Sequence, residues 1–116
     1  MGNGAAEAAD RIDRVRIESG KAYGIEIGIE RILWGSDYPH YEGTFPNSRK
    51  AIRHTFHDKP EAETRAILGE NAARLYGFDL ARLRPWANAH GPTPDEVAVP
   101  LTPEEFPKNV HTGAFM

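Results

Sequence analysis

Asp37, Tyr38, His40 and Glu42 fall within six consecutive positions. Pro39 makes the loop that carries them stiff, and a stiff loop holds polar groups well, with Glu42 reading as a solvated side chain. Asp37 is the first candidate. It follows the apolar run Ile32-Leu33-Trp34 and the small pair Gly35-Ser36, and a carboxylate just past the C-terminal end of a buried parallel strand stands where open α/β sheets and α/β barrels carry out their chemistry. Such a group can bind a divalent cation or accept a proton from water. Taken by itself, an aspartate after a strand more often caps a turn. Tyr38 and His40 are candidates to touch substrate or to orient a metal ligand, although a loop histidine beside Pro39 is as often an ordinary surface residue. The chain has no cysteine, so any metal must be held by His, Asp or Glu. His54 and His57 have the i, i+3 spacing that can share a metal, but their neighbours Arg53 and Asp58 mark a polar helix face.

The elements that must position these groups follow from periodicity. Ile32, Leu33 and Trp34 predict one clear strand at about 31–36, covered on both faces, and Pro39 stiffens the loop that leaves it. Trp34 belongs to the core. Ala5, Ala8, Ile12 and Val15 predict a helix over 5–17 with Asn3 as its cap. Residues 21–31 alternate as a strand would, yet they also suit the end of a helix stopped at Gly28. Pro46-Asn47-Ser48 opens a further helix with Ala51, Ile52, Thr55 and Phe56 on one stripe. Asp58-Lys59-Pro60-Glu61 opens the next, with Asp58 as cap and Glu61 at the capping-box position. Thr64, Leu68, Ala72 and Leu75, flanked by Ile67 and Tyr76, give its apolar side, Gly69 is the place where it divides, and Gly77 is its stop. Asn71 is expected to tie this helix to a neighbouring loop through its side chain.

Composition sets outer bounds. At 116 residues the chain is well short of the roughly 250 of a complete eight-stranded α/β barrel. Fourteen Lys and Arg against 17 Asp and Glu give a net charge of -3, without a basic cluster, which argues against nucleic acid as a partner. No apolar run reaches the length of a membrane span, and the first residues lack a signal-peptide pattern, so the expectation is a soluble cytoplasmic protein without a membrane partner. Six of the nine prolines lie in residues 85–116, predicting an extended, Pro-rich C-terminal arm.

Leu33-Trp34-Gly35-Ser36-Asp37-Tyr38-Pro39-His40, then Glu42-Gly43-Thr44 and Ile67-Leu68-Gly69-Glu70-Asn71-Ala72-Ala73-Arg74-Leu75-Tyr76-Gly77, resemble the C-terminal end of the amidohydrolase-related family of metal-dependent hydrolases and decarboxylases. The resemblance covers roughly residues 22–80. It implies an α/β fold, a C-terminal fragment of a (β/α)8 TIM-type barrel that is mostly helical with one strand. On that reading 1–80 hold the end of unit seven plus unit eight, 81–116 form the arm, and 21–27 end the preceding helix. It makes Asp37 the metal-binding and catalytic carboxylate at the end of strand eight. It further implies a divalent metal, zinc or manganese, and a small-molecule substrate in the complete enzyme.

The family also uses a His-x-His pair and further histidines. The five histidines here are His40, His54, His57, His90 and His111, and no two are separated by a single residue. The expectation is therefore a chain that holds no metal stably and is inactive by itself, with self-association or a complementing N-terminal chain as its partner. Two alternatives stand beside it: an assembly subunit completing a barrel with a separately encoded partner, and a small non-catalytic binding module.

Overall fold

The computed structural model describes residues 28–115. The helix expected over 5–17, its cap Asn3 and the segment 21–27 lie outside the described residues. A 3-10 turn, Ile29–Arg31, leads into an extended stretch and a long loop, then helix α1, Ser48–Phe56. Next come α2, Glu61–Arg65, a wider π-type turn, Ala66–Glu70, and α3, Asn71–Tyr76. Helices α4, Leu80–His90, and α5, Pro94–Val97, precede 3-10 turns at Pro103–Glu105 and Gly113–Phe115.

The described residues contain no strand and no sheet, which overturns the expectation of an α/β barrel fragment with a strand at about 31–36. The local half of that expectation is visible: the backbone from Ile32 is extended, beginning at φ -103°, ψ 129°. What is absent is a neighbour, since a strand exists only as part of a ladder. The Trp34 N–H is satisfied by the Ile67 carbonyl at 3.0 Å, in a helical turn instead of a second extended segment. One face alone is covered. Ile32, Trp34 and Ser36 are half-buried, whereas Leu33, Gly35 and Asp37 are exposed.

The covered face rests on a small core of Ile52, Phe56, Ile67 and Val97, with Ile29, Ile32, Trp34 and Leu68 packed around it. Each fully buried side chain of this size contributes about 1.5–3 kcal/mol. Helix α1 buries Ala51, Ile52 and Phe56, three members of its expected stripe. In the following helical run Thr64, Ile67, Asn71 and Ala73 are buried, whereas Leu75 is 64% exposed. The π-type turn containing Gly69 rewinds the helix there without dividing it. Asp58 does not cap this run, because Pro60 occupies the N-cap without a side-chain bond and Asp58 pairs with Lys59 at 2.8 Å. Gly77 ends α3 at φ 74°, the left-handed conformation that glycine adopts without a Cβ clash.

Asn71 ties the helical run to the turn and the extended stretch before it, as does Arg74, which donates to the Glu30 carbonyl at 2.6 Å. Asn71 is 2% exposed, and its Nδ2 donates to the carbonyls of Ile29 at 2.8 Å and Ile32 at 2.9 Å. Both protons of one amide are thereby used on two backbone acceptors.

Beyond residue 80 the chain is not uniformly extended. Asp79 caps α4 by accepting from Ala81 N at 3.0 Å and Arg82 N at 3.3 Å, and this helix carries Pro85 in its interior. Thr93-Pro94-Asp95-Glu96 and Thr102-Pro103-Glu104-Glu105 each form a capping box. The glutamates of those boxes also take arginines one turn apart on α1. Arg49 meets Glu96 at 2.9 Å, and Arg53 meets Glu105 at 2.7 Å while donating to the carbonyls of Val99 and Pro100. His54 completes the clamp by packing against Phe106 and Phe115, with centroids 5.1 and 6.1 Å away.

Candidate functional site

The loop after the extended stretch is closed by three backbone bonds. His40 N donates to Asp37 O at 2.7 Å, Gly43 N to His40 O at 2.9 Å, and Thr44 N to Ser36 O at 2.9 Å. These bonds crowd carbonyl oxygens around Gly43. A Cβ there would lie 2.6 Å from Ser36 O and 2.9 Å from His40 O, so only glycine fits. Ser36 Oγ accepts from Tyr38 N at 3.3 Å, and Thr44 shares a 2.8 Å hydroxyl contact with Ser48, the first residue of α1. The loop is thus fixed at both ends, to the core through Trp34 and to α1 through Thr44.

Asp37 stands at the head of this loop with φ 57°. A non-glycine residue held in the left-handed region is uncommon, and such residues cluster at functional sites. Asp37 is exposed, and among the described residues no hydrogen bond or ion pair engages its carboxylate. Tyr38, 65% exposed, sets its ring edge-on to Phe45 at 5.0 Å. His40 accepts from Glu42 N through Nδ1 at 3.2 Å, so in its neutral form the proton sits on Nε2. Its ring lies 5.1 Å from that of Tyr41. The structure therefore brings Asp37, Tyr38 and His40 into one pinned loop, with the His40 Nδ1 already engaged and the Asp37 carboxylate open to solvent.

A family model described as amidohydrolase matches residues 17–78, more than half of the chain. The chain belongs to the amidohydrolase family. Comparison with curated proteins and with solved structures gave no match. The family match spans the Asp37 loop, α1, and the helical run to Gly77, whereas α4, α5 and the clamped arm lie beyond it.

Amidohydrolases are generally metal-dependent, so the donors of this chain must be tested against a metal. No three His, Asp or Glu side chains among the described residues converge in a way that would hold an ion. His54 is turned into its aromatic stack, and burial, followed by the nearby His57 and Lys59, lowers its pKa below 6.5. The His57 Nδ1 lies 3.0 Å from the Arg53 carbonyl. Asp37 is therefore a single donor, and the residues described do not make a metal centre. Nor does any helix among them have the length and apolarity to cross a membrane.

Two cavities are lined by residues of these elements and the arm. The larger, about 410 Å³, lies between the end of α1, the π-type turn and α4, and contains none of Asp37, Tyr38 and His40. The smaller, about 270 Å³, runs from Tyr41 to Asn47 on one side and from Lys108 to Thr112 on the other. That second wall was not legible as a site in the sequence, where 108–112 read as part of the arm. The two Thr-Pro-x-Glu capping boxes are the sequence signal that shows the arm to be structured.

Proposed function

We propose that this chain is the C-terminal portion of a metal-dependent hydrolase or decarboxylase of the amidohydrolase family, with Asp37 as its catalytic and metal-binding carboxylate. Residues 1–80 supply the family's part and 81–116 an appended arm. The observation that carries the reading is the placement of Asp37, exposed at φ 57° at the head of a loop closed by Gly43 and Thr44, inside the family match. A carboxylate so held accepts a proton from an attacking water, or passes one to the carbon that loses carbon dioxide.

The remaining metal donors come from another chain segment. Residues 1–27 contain no histidine, and no His-x-His pair occurs anywhere in the sequence. By itself the chain then lacks turnover and binds no zinc or manganese stoichiometrically. Light scattering of the purified chain with elemental analysis of the peak, alongside assays with amide, ester and carboxylate substrates, tests this. Metal-dependent turnover that disappears in Asp37→Asn would overturn the inactivity.

A second reading is an assembly subunit completed by a separately encoded chain. Leu33 is 39% exposed, and among the described residues the backbone N–H and C=O of Leu33 and Gly35 have no partner, an open edge of the kind that accepts another chain. A partner carrying the histidines should then co-purify and restore turnover that Asp37→Asn abolishes; failure of the two chains to co-purify would sink this reading.

A further inference from the structure

The smaller cavity has a composition that its position in the arm conceals. Its polar lining consists of Tyr41, Thr44, Asn47, Lys108, Asn109, His111 and Thr112, and no Asp or Glu lines it. In a chain of net charge -3, a cleft that holds Lys108 and no carboxylate is a local reversal of sign. No carboxylate among the described residues pairs with Lys108. Asn109, at φ 58°, turns the chain between Lys108 and His111, which both line the cleft. The His111 ring meets Tyr41 edge-on at 5.5 Å, so one wall is aromatic as well as cationic. Thr44, 8% exposed, and Thr112, 6% exposed, anchor the two walls.

We propose that this cleft between residues 41–47 and 108–112 binds a small carboxylate that carries an apolar ring or chain, with Lys108 as the countercharge, the amides of Asn47 and Asn109 as donors, and the touching Tyr41–His111 pair as one surface against the apolar part. A volume of about 270 Å³ corresponds to roughly nine waters of liquid, room for a molecule of benzoate size. A single ammonium with neutral donors suits a monoanion, whereas a phosphate dianion draws on more cationic groups. The cleft excludes Asp37, and its far wall lies outside the family match of residues 17–78. The inference therefore stands apart from the role proposed for Asp37.

The test is a titration of the full chain with benzoate, followed by amide chemical shifts in two-dimensional NMR. Saturable binding in the millimolar range, with shifts at Thr44, Asn47 and 108–112, is the expected result. Lys108→Gln should weaken it about tenfold, the effect of removing one charge-assisted contact, while Lys50→Gln on α1 leaves it unchanged. Tyr41→Leu should weaken benzoate without altering acetate. The proposal is overturned if benzoate does not saturate, if Lys108→Gln binds as the parent does, or if inorganic phosphate binds more tightly than benzoate. The spectra report folding of each variant directly, and Lys108 is exposed, so its loss does not disturb the core.

Discussion

Asn71→Ala and Asn71→Asp, taken together, test how the Asp37 loop is held. Asn71 is 2% exposed and donates to Ile29 O at 2.8 Å and Ile32 O at 2.9 Å. Two neutral hydrogen bonds contribute about 1 kcal/mol each; their loss leaves the Ile32 carbonyl short of a donor, whereas the Ile29 carbonyl keeps the Ile32 N–H at 3.2 Å. Because Ile32 is half-buried, some water reaches its carbonyl, and Asn71→Ala should cost about 2–3 kcal/mol in all. Asn71→Asp keeps the shape but replaces both donors by acceptors facing two carbonyl oxygens. At neutral pH it should be worse than the alanine variant, because a buried charge without a partner is added. The introduced carboxyl has its pKa raised above the ordinary value, so its penalty is full above that raised pKa. It shrinks as pH falls through it, where one O–H donor returns. Urea unfolding followed by circular dichroism at several pH values measures both effects. An Asn71→Ala variant within about 0.5 kcal/mol of the parent, or an Asn71→Asp variant no worse than it at neutral pH, would refute the reasoning.

Other expectations concern the loop and the arm. Gly43→Ala places a Cβ 2.6 Å from the Ser36 carbonyl; it should cost about 1–3 kcal/mol and strip hydrogen-exchange protection from the Thr44 amide, and unchanged protection would count against the closed loop. The Arg53 guanidinium, then the Thr102 amide, hold the Glu105 carboxyl at about 2 against an ordinary 4.5. A depressed carboxylate stabilises fully above its ordinary value and loses that contribution as pH falls through the folded one. Protease cutting of the arm should accordingly rise between about pH 4.5 and 2, and Arg53→Met should remove that dependence. His54 is likewise held below 6.5, first by burial. Its neutral ring suits the stack on Phe106 and Phe115, so the stack weakens as pH falls below that value; an NMR titration midpoint at or above 6.5 would contradict the burial argument.

What the sequence by itself determined is what nearest neighbours along the chain determine. Ala51, Ile52 and Phe56 recur at helical spacing, and that is the face α1 buries. Gly77 stops α3 because a left-handed residue was needed there, and Asn71, an amide on a helix, found backbone acceptors. The Ser-Asp-Tyr-Pro-His segment, with its second motif near Asn71, carried the family, and Asp37, Tyr38 and His40 are held in one loop because they are neighbours in sequence.

The tertiary structure decided everything that depends on a partner distant in the chain. Ile32-Leu33-Trp34 specifies an extended backbone, but a strand needs a second backbone beside it, and the Ile67 carbonyl of a helical turn stands there instead. The proline-rich composition of 85–116 hid two capping boxes, whose glutamates meet Arg49 and Arg53 on α1, contacts that span more than 45 residues. The same clamp sets His111 against Tyr41 and brings Lys108 to the loop. Helical spacing and turn chemistry are local and can be read in a window of a few residues, whereas pairing, ion-pair register and the walls of a cleft exist only once the chain has closed on itself.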